Sequence, residues 1–144
     1  MLLATTTGCG NPVHLITGGD RIDDYCAALN GDRARFADMI GQDSPVGLLD
    51  ATPMFESLAR KAPDDIVDDW QTLLLALRGL QKELDDAGVK ASDFADGRAP
   101  ASLDKEARRR IAVAADEVSA QTTADAVDAI DQEARDVCKI NLGL

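Results

Sequence analysis

The chain has 144 residues, a formal net charge of −11, 45% hydrophobic and 28% charged residues, which is the size and balance of one folded domain and excludes wholesale disorder. With 26 acidic against 15 basic side chains and only 3% aromatic residues, it lacks the cationic surface and stacking rings that a nucleic acid requires, so no nucleic-acid partner is expected. A single His and three Cys are a thin inventory for a His-based triad or a zinc site. The chain is therefore expected not to be an enzyme, and to use no metal and no cofactor.

Residues 1–20 contain the end of an export signal without its front: small residues precede Cys9, but no basic region and no apolar run of about 7–15 residues stands before them. Thr7-Gly8-Cys9 resembles the lipobox of bacterial lipoproteins, in which such a Cys is lipid-modified and becomes the mature amino terminus. That resemblance makes Cys9 the lipidation site; Thr6 stands where the pattern usually has Leu, and the missing front leaves two readings, a start upstream of Met1 or a degenerate signal. Residues 10–20 combine Gly, Pro, Asn and Thr without periodicity and read as an extended arm, with His14 a solvent-exposed part of it.

A helical bundle domain is expected over residues 21–144. From Arg21 onward Ile22, Cys26, Leu29, Phe36 and Ile40 recur on one helical face, with Asp20 as N-cap and Asn30-Gly31 as a candidate kink. A turn at residues 41–45 leads to a short helix at 46–51 and a second beginning near Pro53 with Thr52 as its cap. Pro63 is expected at the first position of the clearest helix, which ends before Gly88. Its apolar positions Ile66, Trp70, Leu73, Leu77, Leu80 and Leu84 alternate steps of four and three residues, and Val67 and Leu74 widen the stripe, so this helix is expected at the centre of the fold. Residues 88–101 form a connection with one helical turn around Ser92-Asp93-Phe94. Two further helices follow, at 102–119 with Leu103, Ala107, Ile111, Ala114 and Val118 inward, and at 123–138 with Val127, Ile130, Ala134 and Val137 inward. With no stretch of alternating apolar and polar residues, the expected fold is all-α: an antiparallel bundle of four to five helices with an extended N-terminal arm. No apolar run reaches the roughly 20 residues that cross a bilayer as a helix.

Cys26 falls near the start of the first helix and Cys138 near the end of the last. A bond between them would join the two ends of the domain and require an oxidising compartment; the alternative is a pair of buried thiols in a reducing one. The odd count leaves Cys9 over, which lipidation explains.

Asp64, Asp65, Asp68 and Asp69 form two carboxylate pairs at helical i,i+4 spacing. They read as first-turn complements of the helix dipole, because the Asp/Asn alternation and central Gly of a calcium loop are missing. Asp85-Asp86 and the series Asp125, Asp128, Asp131 read as solvated faces. Arg108-Arg109-Arg110 is the one basic cluster, in a segment made nearly neutral by Asp104, Glu106, Asp116 and Glu117. Trp70 and the leucine stripe read as core, and Tyr25 as packing.

The segment APDDIVDDWQTLLLALRGLQKEL at residues 62–84, with Cys26 upstream and Cys138-Lys139-Ile140-Asn141-Leu142 at the end, resembles small exported α-helical proteins of actinobacteria, often lipoproteins. The resemblance spans residues 9–144 and implies export, a bundle, and a bond joining the first and last helices; it implies no catalytic residues. The expectation for function is an exported, lipid-anchored envelope protein acting as a non-enzymatic binding or accessory subunit of a membrane-associated complex. Its partners would be an envelope or membrane protein and, through the lipid on Cys9, the membrane surface. The alternative is a soluble secreted binder of a small ligand or a divalent cation.

Overall fold

The computed structural model describes residues 19–41, 45–94 and 98–144. Lipidation at Cys9, the His14 arm and most of the turn at 41–45 lie outside these residues, as does the side chain of Ile40. Among the described residues the chain is all helical, with no strand. Six α-helices follow in order: α1 (Gly19–Gly41), α2 (Pro45–Asp50), α3 (Thr52–Ala59), α4 (Val67–Asp86), α5 (Lys105–Val118) and α6 (Gln121–Asp136), with a single 3-10 turn at Ala91–Asp93.

The alternating four- and three-residue spacing organises the bundle. Trp70, Leu73, Leu77, Leu80 and Leu84 are all buried along one face of α4, with Leu74 beside them. A stripe that wide lets one helix serve several neighbours, and α4 packs against α3, α5 and α6. α5 and α6 are short on bulky residues and bury Ala107, Ala126 and Ala134 beside Ile111 and Ile130, so they approach α4 through small side chains. α4 and α5 run antiparallel: Arg110, in the first half of α5, reaches Glu83 near the end of α4 at 3.0 Å.

Several boundaries differ from the sequence expectation, each for a local reason. α4 begins at Val67 rather than at Pro63, because residues 63–66 form a turn in which the amides of Ile66 and Val67 both bond to the Pro63 carbonyl. Ile66, at φ −120°, leaves helical geometry there and its side chain drops into the core. The acidic residues in the first turn of α4 are therefore Asp68 and Asp69, and Asp64 and Asp65 lie before it. Helix α1 passes through Asn30-Gly31 without a break; the burial of Leu29 and Phe36 on either side outweighs a propensity cost of about 1 kcal/mol. Asp20 sits within the first turn of α1 rather than before it. Thr52 is no cap: α3 is preceded by Ala51, and the Thr52 hydroxyl bonds back to the Leu48 carbonyl at 3.5 Å. Asp104 does cap α5, accepting from the Ala107 amide at 2.7 Å.

Candidate functional site

Two arrangements stand out from the packing: a clasp that joins the chain's first and last elements, and a groove between α4 and α5.

The clasp starts with the disulfide between Cys26 on α1 and Cys138 just beyond α6, 112 residues apart in sequence with Cα atoms 5.1 Å apart. Beside it, Tyr25 and Trp70 are both fully buried, and the Trp70 indole Nε1–H donates to the Tyr25 hydroxyl at 2.9 Å. That bond spans α1 and α4 and satisfies both polar atoms inside an apolar core. Trp70 also stacks at a tilt on Phe55, with centroids 5.8 Å apart, and Phe55 on Phe36 at 6.0 Å. Burial, and behind it the negative charges of Glu133 and Asp65, push the Tyr25 phenol up to about 12, against the lowering effect of the Trp70 bond.

The last residues complete the clasp. Asp131, on the α6 face that the sequence reads as solvated, is 3% exposed. Its carboxylate pairs with Arg135 at 2.6 Å and accepts the Leu142 amide at 3.3 Å. The Ile140 amide bonds to the Ala134 carbonyl at 2.9 Å, and Lys139 takes a left-handed conformation (φ 58°) that folds the chain back. The side chains of Ile140 and Leu142 then enter the core, while Val137, expected inward, is turned out to 40% exposure. Glu133 lies near the same corner; partial burial, Asp65 and Asp136 push its carboxyl above the usual range.

The carboxylates of residues 64–69 are divided between the turn before α4, with Asp64 and Asp65, and its first turn, with Asp68 and Asp69. Asp64 is exposed and pairs with Arg21 of α1 at 2.7 Å, and among the described residues no group of three or more His, Cys, Asp or Glu side chains is placed to hold a metal ion. The basic cluster is divided between structural tasks. Arg108 donates to the Leu103 carbonyl at 2.9 Å, Arg110 to Glu83 at 3.0 Å, and Arg109 keeps only a loose 3.8 Å approach to Glu106.

The groove, about 570 Å³ in volume, runs between α4 and α5 toward the start of α6. Ala76 and Ala114 contribute methyl groups to its lining, Gly79 bare backbone, Leu75 and Val113 larger apolar side chains, and Arg109 and Glu117 charged ones. Leu75 is 68% exposed and Val113 56%, so neither belongs to the core. Sequence reasoning passed over both, although a signal was present: three consecutive leucines at 73–75 cannot all face inward on one helix, and Val113 falls off the series Ala107, Ile111, Ala114, Val118.

Compared with known proteins, the chain matches no family model, no curated protein and no solved structure.

Proposed function

We propose that this is an exported cell-envelope protein, anchored to the membrane surface by a lipid on Cys9, which works by binding as an accessory subunit of a membrane-associated protein complex. The observation that carries the reading is the Cys26–Cys138 bond. A bond that closes nearly the whole described chain is a structural staple, and staples of this kind persist where thiols are not kept reduced. With that pair accounted for, Cys9 in its lipobox-like setting is the remaining cysteine, and lipidation gives it a role suited to the same compartment. One acyl chain anchors only marginally, so a multiply acylated Cys9 is the form expected. The strongly acidic surface suits a protein that stays soluble around its anchor.

The test is intact mass combined with fractionation, using protein produced in an exporting bacterial host. The reading expects a chain that begins at Cys9 and carries lipid, lacks the two thiol hydrogens of Cys26 and Cys138, and partitions with membranes; Cys9→Ser should release it. Quantitative release of the parent protein by a detergent-free wash, with Cys9→Ser indistinguishable from it, would overturn the anchored reading. Free thiols at Cys26 and Cys138 in the native protein would overturn export.

A further inference from the structure

Of the exposed large hydrophobic side chains among the described residues, Leu75, Val113 and Val137, the first two line the same groove. The charge around Val113 has a particular order. Arg109 lies four residues before it and Glu117 four after; Arg110 lies three before and Asp116 three after. Residues at these spacings share the outward face of a helix. The pattern inverts sign about Val113, so it complements itself when a second α5 lies antiparallel across it, and it sets like charges together when the second helix lies parallel.

We infer that this face pairs with a second copy of the same chain: two α5 helices cross antiparallel on a two-fold axis at Val113, with Arg109 of each copy opposite the partner's Glu117 and Leu75 closing over the apolar centre. A two-fold contact of this kind uses one patch twice and needs just such self-complementarity. Three further observations favour a second copy as the occupant. First, α5 is the one α-helix among the described residues with more basic than acidic side chains, four (Lys105, Arg108, Arg109, Arg110) against three (Glu106, Asp116, Glu117). In a chain of net charge −11, two copies repel least when they meet along this helix. Second, the charges required are at hand. Among the described residues Asp116 and Glu117 have no ion-pair partner, and Arg109 has only the 3.8 Å approach to Glu106. Third, the groove admits a close neighbour: a Cβ built on Gly79 would meet nothing within 4 Å. The inference goes beyond the anchored-subunit reading and does not depend on it.

The experiment uses the full chain carrying Cys9→Ser, so that no lipid drives association, and follows self-association by sedimentation over a range of concentrations. A reversible monomer–dimer equilibrium is expected for the parent. Val113→Asp should abolish it. Arg109→Glu and Glu117→Arg, each of which sets like charges opposite twice, should each weaken it about ten-fold, and the double variant Arg109→Glu/Glu117→Arg should restore it. Within one helix these two positions are about 12 Å apart, so rescue cannot come from a bond inside one chain. Circular dichroism confirms that each variant is folded, as expected at exposed positions. As a second readout, Val113→Cys should cross-link to itself under mild oxidation, because a residue on the axis meets its own copy. A parent that is monomeric throughout, a dimer indifferent to both single charge reversals, or a double variant as weak as the singles would overturn the inference.

Discussion

Removing the Cys26–Cys138 bond tests the clasp most directly. The bond closes a loop of 112 residues in sequence separation, and in the chain-entropy treatment such a loop restricts the unfolded chain by about 16 cal/mol/K, or about 4–5 kcal/mol at room temperature. A domain of this kind has about 5–15 kcal/mol of stability in all, so loss of the bond should move the urea midpoint far and leave little reserve at body temperature. Two properties of the structure keep the folded state from changing much. The Cα atoms are 5.1 Å apart, and each end has a tie of its own: the Tyr25–Trp70 bond fastens α1 to α4, and the Asp131 contact with Leu142 fastens the last residues to α6. The appropriate measurement is urea unfolding of the parent and of Cys26→Ser/Cys138→Ser, each with and without reductant. Reductant should lower the parent's midpoint to near that of the double variant and leave the variant unmoved, while far-ultraviolet circular dichroism of both folded forms stays the same. An unchanged midpoint on reduction, or an equal loss in the variant on adding reductant, would refute the reasoning.

Three other expectations follow from the same region and from α1. Tyr25→Phe should cost about 1–3 kcal/mol in thermal or urea unfolding, because the buried Trp70 N–H loses its acceptor. In the parent, the Tyr25 phenol ionises near 12 when folded and near 10.0 when unfolded. The unfolded chain thus releases its proton first, so the contribution is complete below pH 10.0 and is lost as pH rises through about 12, some 2–3 kcal/mol in total; Tyr25→Phe should flatten that alkaline fall. Asp131→Ala should destabilise by about 1.5–3 kcal/mol, since it removes a buried charged acceptor, and hydrogen exchange at the Leu142 amide should speed up more than at Trp70. Gly31→Ala should stabilise by about 0.5–1 kcal/mol in the same unfolding assay, because Gly31 is inside α1 and a Cβ there meets nothing within 4 Å.

Much of the architecture can be read from residue order alone. The alternation of four and three between Ile66 and Leu84 settles both the identity of α4 as a helix and the direction it faces, because a period of that kind has one continuous apolar side. The division between the short α2 and α3 follows from Pro53, whose fixed φ suits a helix beginning; Pro45, read as the end of a turn, is the first residue of α2. The positions of Cys26 and Cys138 at the two ends of the domain allow either a bond or two buried thiols, and the structure has the bond. Tertiary contacts decided the remainder. Whether Asn30-Gly31 breaks α1 depends on core burial on either side of it, which no local rule measures. Asp131 belongs by spacing to a row of acidic residues, and only the returning segment at residues 139–142 covers it and supplies its amide partner. Leu75 and Val113 are apolar by composition, yet they are exposed because α4, α5 and α6 meet through other stripes. Net charge −11 describes how the whole surface repels; only the placement of the helices sets Arg109, Val113 and Glu117 beside one groove. Periodicity and punctuation act over a few residues and so are written into the chain, whereas burial, charge pairing and exposed faces arise between elements distant in sequence, and folding alone brings those together.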